Sequence, residues 1–169
     1  MRRILFYIAM IVCGFYLQTA VFTELTLGGI VPNIFIICTV SMGMIRGKKA
    51  GCILGFVYGI LMDALYSKYF GVLALILSLL GYAAGNVKQI FYEEDMTLPI
   101  LMIGIADFLY GISIFIFGFF SRGRTDFLIY LIRIIIPEMF YTLILAIFLY
   151  RLIIFINKKI DKGSENRID

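Results

Sequence analysis

The stretch that decides the fold lies at residues 46–66 and reads RGKKAGCILGFVYGILMDALY. It carries five residues at an unbroken spacing of four, which are Gly47, Gly51, Gly55, Gly59 and Asp63. Residues four positions apart share one face of an α-helix. The stretch therefore predicts a helix with a groove that lacks side chains and ends in a carboxylate. We call its four glycines the glycine stripe.

The composition of the whole chain makes a lipid bilayer its expected solvent. Of the 169 residues, 62% are hydrophobic and 15% are charged, and the mean hydropathy is +1.01. A soluble domain of this length could not bury so much apolar surface. We therefore predict a single-domain, all-α integral membrane protein.

Six apolar runs predict six transmembrane helices in one membrane domain over residues 1–156. The runs cover about residues 4–22, 31–45, 50–66, 69–87, 98–120 and 127–156. The last run is too long for one straight span, so Pro137 either kinks it or starts a new helix at residue 137. Residues 157–169 are polar and are predicted to form a cytosolic tail.

The distribution of basic residues predicts the orientation in the membrane. With both termini inside the cell, eleven of the fifteen Lys and Arg residues face the cytoplasm. The opposite orientation inverts this bias, so we predict N-in and C-in. The four basic residues left on the outer side are Lys68, Arg122, Arg124 and Arg133.

Composition also argues against several kinds of site. The chain has no His, which removes the commonest general base and the usual zinc and haem ligands. Its three cysteines, Cys13, Cys38 and Cys52, are dispersed in apolar runs and form no CxxC pair. We predict no catalytic set, no metal and no cofactor. The basic residues are segregated by topology, so we expect no nucleic-acid partner.

The glycine stripe predicts close helix packing in the membrane. Gly81 and Gly85 offer a second pair of small residues at the same spacing in the fourth span. Glycines are common in membrane helices, but four in register are more than that background explains. The stripe packs either against the fourth span or against another protein.

Charged groups in apolar sequence need partners. The acids are Asp63, Asp107 and Glu138, and Arg133 is predicted to pair with Asp63 or Glu138. A proton or ion path is the alternative, which the expected difference in depth of the acids disfavours. The Gln18 amide in the first span is predicted to hydrogen-bond across helices.

These features, in this order along the chain, resemble the bacterial rod shape-determining MreD family. The resemblance runs over residues 2–85, and the second half matches through its span number, Arg133 and Pro137. The residues that carry it are Gln18, Pro32, Asn33, the glycine stripe, Asp63, Gly71, Gly81 and Gly85.

The resemblance implies a non-enzymatic, multi-pass protein of the bacterial cytoplasmic membrane. Such a scaffold organises lateral peptidoglycan synthesis, and so rod shape, with MreC, MreB, RodA and the transpeptidase partner of RodA. The family is also similar in fold to the six-helix substrate-binding subunits of energy-coupling-factor vitamin transporters. That likeness gives the alternative function, a small-molecule uptake subunit, which requires an outward-facing polar pocket. An intramembrane enzyme ranks last.

Overall fold

The structure is a computed structural model that describes residues 2–21, 24, 29–66, 70–90, 96–122 and 127–165. Its helices are α1 (Arg2–Tyr16), α2 (Ile34–Arg46), α3 (Lys48–Tyr66), α4 (Val72–Asn86), α5 (Thr97–Arg122), α6 (Phe127–Tyr130) and α7 (Ile136–Glu165). Two π-helical segments, Leu17–Val21 and Leu131–Ile135, extend α1 and join α6 to α7, and a 3-10 turn, Val87–Ile90, follows α4. The prediction of an all-α protein is confirmed for the described residues.

Helix α2 forms the centre of the molecule. Every residue from Ile34 to Met44 is buried, and α2 contacts α1, α3, α4, α5 and α7. A helix that is apolar all round is stable only when other elements surround it. At ~1.5 Å per residue α2 is about 20 Å long, shorter than a ~30 Å hydrocarbon core. The surrounding helices make this length tolerable because α2 does not face lipid.

Helices α3 and α4 form the most extensive helix pair. A Cβ built on Gly51 would overlap the Gly81 carbonyl oxygen, and one on Gly55 would overlap that of Leu77. At Gly59 and Gly85 the backbone of the opposing helix is equally close. The glycine stripe thus packs against α4 within the same chain, including the predicted Gly81 and Gly85.

The structure corrects the stripe at its first position and adds one glycine from α2. Gly47 lies between α2 and α3 with φ +98°, and its N–H donates to the Gly43 carbonyl at 2.8 Å. Only glycine adopts that backbone conformation at low cost. A Cβ on Gly43 would lie 2.6 Å from the Gly81 oxygen. Gly43 continues the spacing of four, but it belongs to the preceding helix and was not predicted.

The last apolar run resolves into a continuous helical path with a π-helical segment before Pro137. Proline has no N–H to offer the carbonyl of Arg133, four residues back. The backbone instead pairs the Ile136 N–H with the Leu131 carbonyl, five residues back. The chain neither breaks nor starts afresh at Pro137.

The predicted polar tail is helical at its start. Helix α7 continues to Glu165, and Asn157 within it is buried. Residues 166–169 lie outside the described residues, as do the predicted outer cations Lys68 and Arg124.

Three of the described helical segments are long and apolar enough to cross a membrane, namely Ile4–Val21, Thr97–Gly118 and Phe127–Ile160. Helices α2 and α4 are apolar but shorter. The chain is therefore a helical membrane protein.

Candidate functional site

Polar side chains converge where α2 begins. Asn33 caps the helix, with its side-chain oxygen accepting from the Ile36 N–H at 3.3 Å. The Gln18 amide donates to the Pro32 carbonyl at 3.0 Å and accepts from the Ile34 N–H at 2.8 Å. Gln18 therefore bonds across helices as predicted, and its partners are the backbone on either side of Asn33.

Helix α7 completes this junction through Thr142. Its buried hydroxyl accepts from the Asn33 N–H at 3.1 Å. The Pro32–Asn33 pair is thereby bonded to both the first and the last long helix. Sequence reasoning missed Thr142, although a threonine among the apolar residues of a membrane span was a usable signal.

A pocket of about 310 Å³ lies beside this junction. Its polar lining comes from Gln18, Asn33, Tyr110 and Glu138. Its apolar lining includes Val31, Phe35, Met62 and Ile134. The predicted N-in topology places this end of the bundle on the outer side of the membrane. We call this cavity the α2-end pocket.

One of the predicted buried acids, Glu138, lines this pocket. A second, Asp107, does not line it and lies on α5, three residues before the lining residue Tyr110. Asp107 is 3% exposed, and its buried carboxylate lies near the Thr142 hydroxyl. Helices α5 and α7, which carry these two acids, pack directly together; the expected difference in depth of the acids stays a prediction.

The third acid, Asp63, has a different environment. Its carboxylate accepts from the N–H groups of Gly71 at 2.9 Å, Leu73 at 3.3 Å and Ala74 at 3.1 Å. The side chain is 2% exposed. Asp63 thus caps the N-terminus of α4 from the end of α3, a favourable place for an anion.

Gly71 gains a structural role from this cap. It has φ +97° and its N–H donates to Asp63, while a Cβ there would meet nothing within 4 Å. Glycine is favoured at this position by the backbone conformation and not by a lack of space for a side chain.

Arg133 is not brought to either predicted partner. It lies exposed in the π-helical segment before α7, and within the described residues no ion pair links it to Asp63 or Glu138. The predicted Asp63 pairing is replaced by the backbone donors of α4.

The opposite end of the bundle holds a second interhelical bond. Arg46 Nε donates to Asn157 Oδ1 at 2.9 Å, joining the end of α2 to α7. Sequence reasoning missed Asn157 because it falls in a segment that is polar throughout. It also missed buried Tyr58, whose hydroxyl donates to the Met10 carbonyl at 2.6 Å and ties α3 to α1.

Across the part of the chain that the structure describes, no group of three or more His, Cys, Asp or Glu residues could hold a metal ion. The three cysteines are free thiols.

Helices α3 and α4 pack closely along their glycines, and we call this interface the glycine seam. The fold, the glycine seam and the α2-end pocket together define a helical membrane protein. The chain belongs to the rod shape-determining protein MreD family, whose model matches residues 1–160. The predicted family is confirmed, and with it a role in cell shape. Comparisons with curated proteins and with solved structures gave no match. The likeness to energy-coupling-factor subunits stays a prediction.

Proposed function

We propose that this protein is a non-enzymatic scaffold of the bacterial elongation machinery. It would span the cytoplasmic membrane six times and organise lateral peptidoglycan synthesis with MreC, MreB, RodA and the transpeptidase partner of RodA. The observation that carries the proposal is the family match over residues 1–160. The central helix α2 is hydrogen-bonded to neighbouring segments at both ends, through Gln18 and through Arg46, which favours a fixed arrangement for holding partners in place.

The glycine seam limits where partners can bind. The stripe is occupied by α4, so it is not a free docking surface. Apolar side chains of α1 remain exposed on the bundle, among them Ile4, Leu5, Ile8 and Val12. We propose that partner segments within the membrane, with MreC first, contact this exposed face of α1.

Co-purification in mild detergent, with mass spectrometry of proteins and small molecules, tests the scaffold. Recovery of MreC or RodA is expected, and Val12→Arg on the exposed face of α1 should reduce it. Leu75→Arg on the exposed face of α4 is the matched control for a charge placed in lipid. Loss of rod shape on depletion, restored by the wild-type chain, is the cellular readout. Recovery of neither partner, together with normal shape after depletion, would refute the scaffold.

The α2-end pocket favours a second candidate, a substrate-binding subunit of a small-molecule uptake transporter. Its polar lining and its position at the predicted outer end are what that function requires. A stoichiometric ligand retained through purification, with energising ATPase subunits in place of MreC, is the result expected for this candidate.

A further inference from the structure

We propose that the α2-end pocket binds a small organic cation, of the ammonium or guanidinium class, through Glu138, with Asp107 on α5 as a second carboxyl group behind the pocket wall. The inference goes beyond the scaffold function, and it gives the second candidate function its class of ligand. It rests on the pocket, on two acids that form no ion pair with Lys or Arg among the described residues, and on the side chains that already bond backbone N–H groups at the start of α2.

The first step concerns the sign of the ligand charge. A helix N-terminus beside a pocket ordinarily favours anions, because its free N–H groups point outward. At the start of α2 several of those groups are already bonded. The N–H groups of Asn33, Ile34 and Ile36 donate to the side chains of Thr142, Gln18 and Asn33, respectively. The start of α2 therefore has fewer free donors for an anion than an uncapped helix N-terminus.

The second step concerns the groups that remain. Glu138 faces the pocket, and Asp107 lies one helical turn before the pocket residue Tyr110 on α5. Both oxygens of Asp107 are buried. Over the described residues neither acid forms an ion pair with Lys or Arg. Two neighbouring carboxyl groups in an apolar bundle are unfavourable without compensation, and a bound cation would provide it.

The third step concerns size and lining. A volume of about 310 Å³ is at the low end of the ~300–1,000 Å³ range of small-molecule sites. It excludes a whole lipid or a folded peptide. Phe35 and Tyr110 supply aromatic rings, and Val31, Met62 and Ile134 supply apolar walls. This lining suits a cation that carries a short apolar body, because rings attract cations and the walls contact methylene groups.

Calorimetric titration of the purified chain in lipid nanodiscs tests the proposal. The probes are agmatine and cadaverine as cations, 1,5-pentanediol as a neutral analogue and glutarate as an anion. We expect saturable binding of at least one cation and none of the neutral or anionic probe. Loss of a charged hydrogen bond in Glu138→Gln should weaken binding by about tenfold or more, and Asp107→Asn should weaken it in the same direction.

Glu24→Gln is the matched control, since Glu24 is an exposed acid outside the pocket lining. It removes the same charge and should leave binding unchanged. Thermal unfolding of each variant separates loss of the site from loss of the fold. The proposal is overturned if neither cation binds the wild-type chain, if glutarate binds better, or if folded Glu138→Gln binds as the wild type does. Recovery of MreC or RodA alongside any of these results leaves the scaffold function standing.

Discussion

At the residue scale, the buried polar groups are bonded mostly to backbone, and Asp63 is the clearest case. Replacing Asp63 with Ala would leave three N–H groups at the start of α4 without their acceptor. Because each buried donor left unpaired is costly, we expect a loss of about 2–3 kcal/mol in the free energy of unfolding. Asp63→Asn keeps one acceptor oxygen and should lose about half as much.

The measurement is thermal unfolding followed by a thiol-reactive dye, with Cys38 as the only cysteine left. Cys38 is buried, whereas Cys13 is exposed and Cys52 partly so. Glu24→Gln, at an exposed acid, should unfold like the parent. An Asp63→Ala variant as stable as that control would show that the cap contributes nothing.

Gly71 gives a second residue-scale prediction, in which the effect of backbone strain can be measured without a steric clash. A Cβ at Gly71 meets no atom within 4 Å, yet its φ is +97°. Gly71→Ala should therefore cost about 1–2 kcal/mol through backbone strain alone. Gly71→Asn should cost less, because Asn tolerates the left-handed region better. Equal losses for the two variants, in the same thermal assay, would contradict the conformational explanation.

Sequence alone indicated that Asp63 and Gln18 need partners, but the kind of partner predicted for Asp63 was wrong. Charge suggested Arg133, because a cation is visible in the sequence. The actual donors are backbone N–H groups, which every residue carries and which only the fold brings to Asp63. The sequence also did not indicate that Asp107 and Glu138 lie on two helices that pack together, since helical spacing does not predict how α5 packs on α7.

At the element scale, the glycine spacing predicted a close-packed face and left its occupant open. A periodic pattern defines one helix face, whereas the opposing helix depends on topology. The structure puts α4 there, and it draws in Gly43 from α2. The helices were predicted from their apolar runs, but the π-helical segment before Pro137 was not, because proline marks a disturbed hydrogen bond without specifying how the backbone compensates.

The loss of stability caused by a Gly→Ala substitution should depend strongly on whether the glycine lies in the glycine seam. At Gly51 the added methyl would meet the Gly81 carbonyl, a backbone atom that cannot move without separating α3 from α4. We expect a loss of about 2–3 kcal/mol for Gly51→Ala, as in overpacked cores. Gly118→Ala, where nothing lies within 4 Å, is the control and should be neutral or slightly stabilising. Thermal unfolding of the Gly51→Ala and Gly118→Ala variants in the same detergent compares their stability. Equal stability would contradict close packing of α3 against α4 at Gly51.

The seam also changes the meaning of a partner-binding experiment. Gly55→Leu would force a side chain into the Leu77 backbone inside the molecule. Loss of MreC from that variant would report a damaged fold, so substitutions on exposed faces such as that of α1 are the informative ones.

At the scale of the whole molecule, the number of crossings decides on which side of the membrane the chain ends. Six crossings from a cytoplasmic N-terminus return the C-terminus to the cytoplasm. If only the three long segments crossed, the C-terminus would lie outside, and so would everything between Val21 and Thr97. The burial of α2 and its single-residue connection to α3 through Gly47 support six, since this hairpin is packed among the longer helices.

Fusion and labelling experiments separate these two topologies. With six crossings, a C-terminal green fluorescent protein should fluoresce and a C-terminal alkaline phosphatase should be inactive. In a chain without native cysteines, Glu24→Cys should react with an impermeant maleimide on intact cells, and Lys48→Cys only after permeabilisation. Both positions are exposed in the structure, so access is set by the membrane. Labelling of Lys48→Cys on intact cells would overturn the N-in, six-span topology. The N-in topology also predicts that the basic residues at the α2–α3 turn, Arg46, Lys48 and Lys49, meet the anionic inner leaflet, and the same labelling result would contradict that prediction.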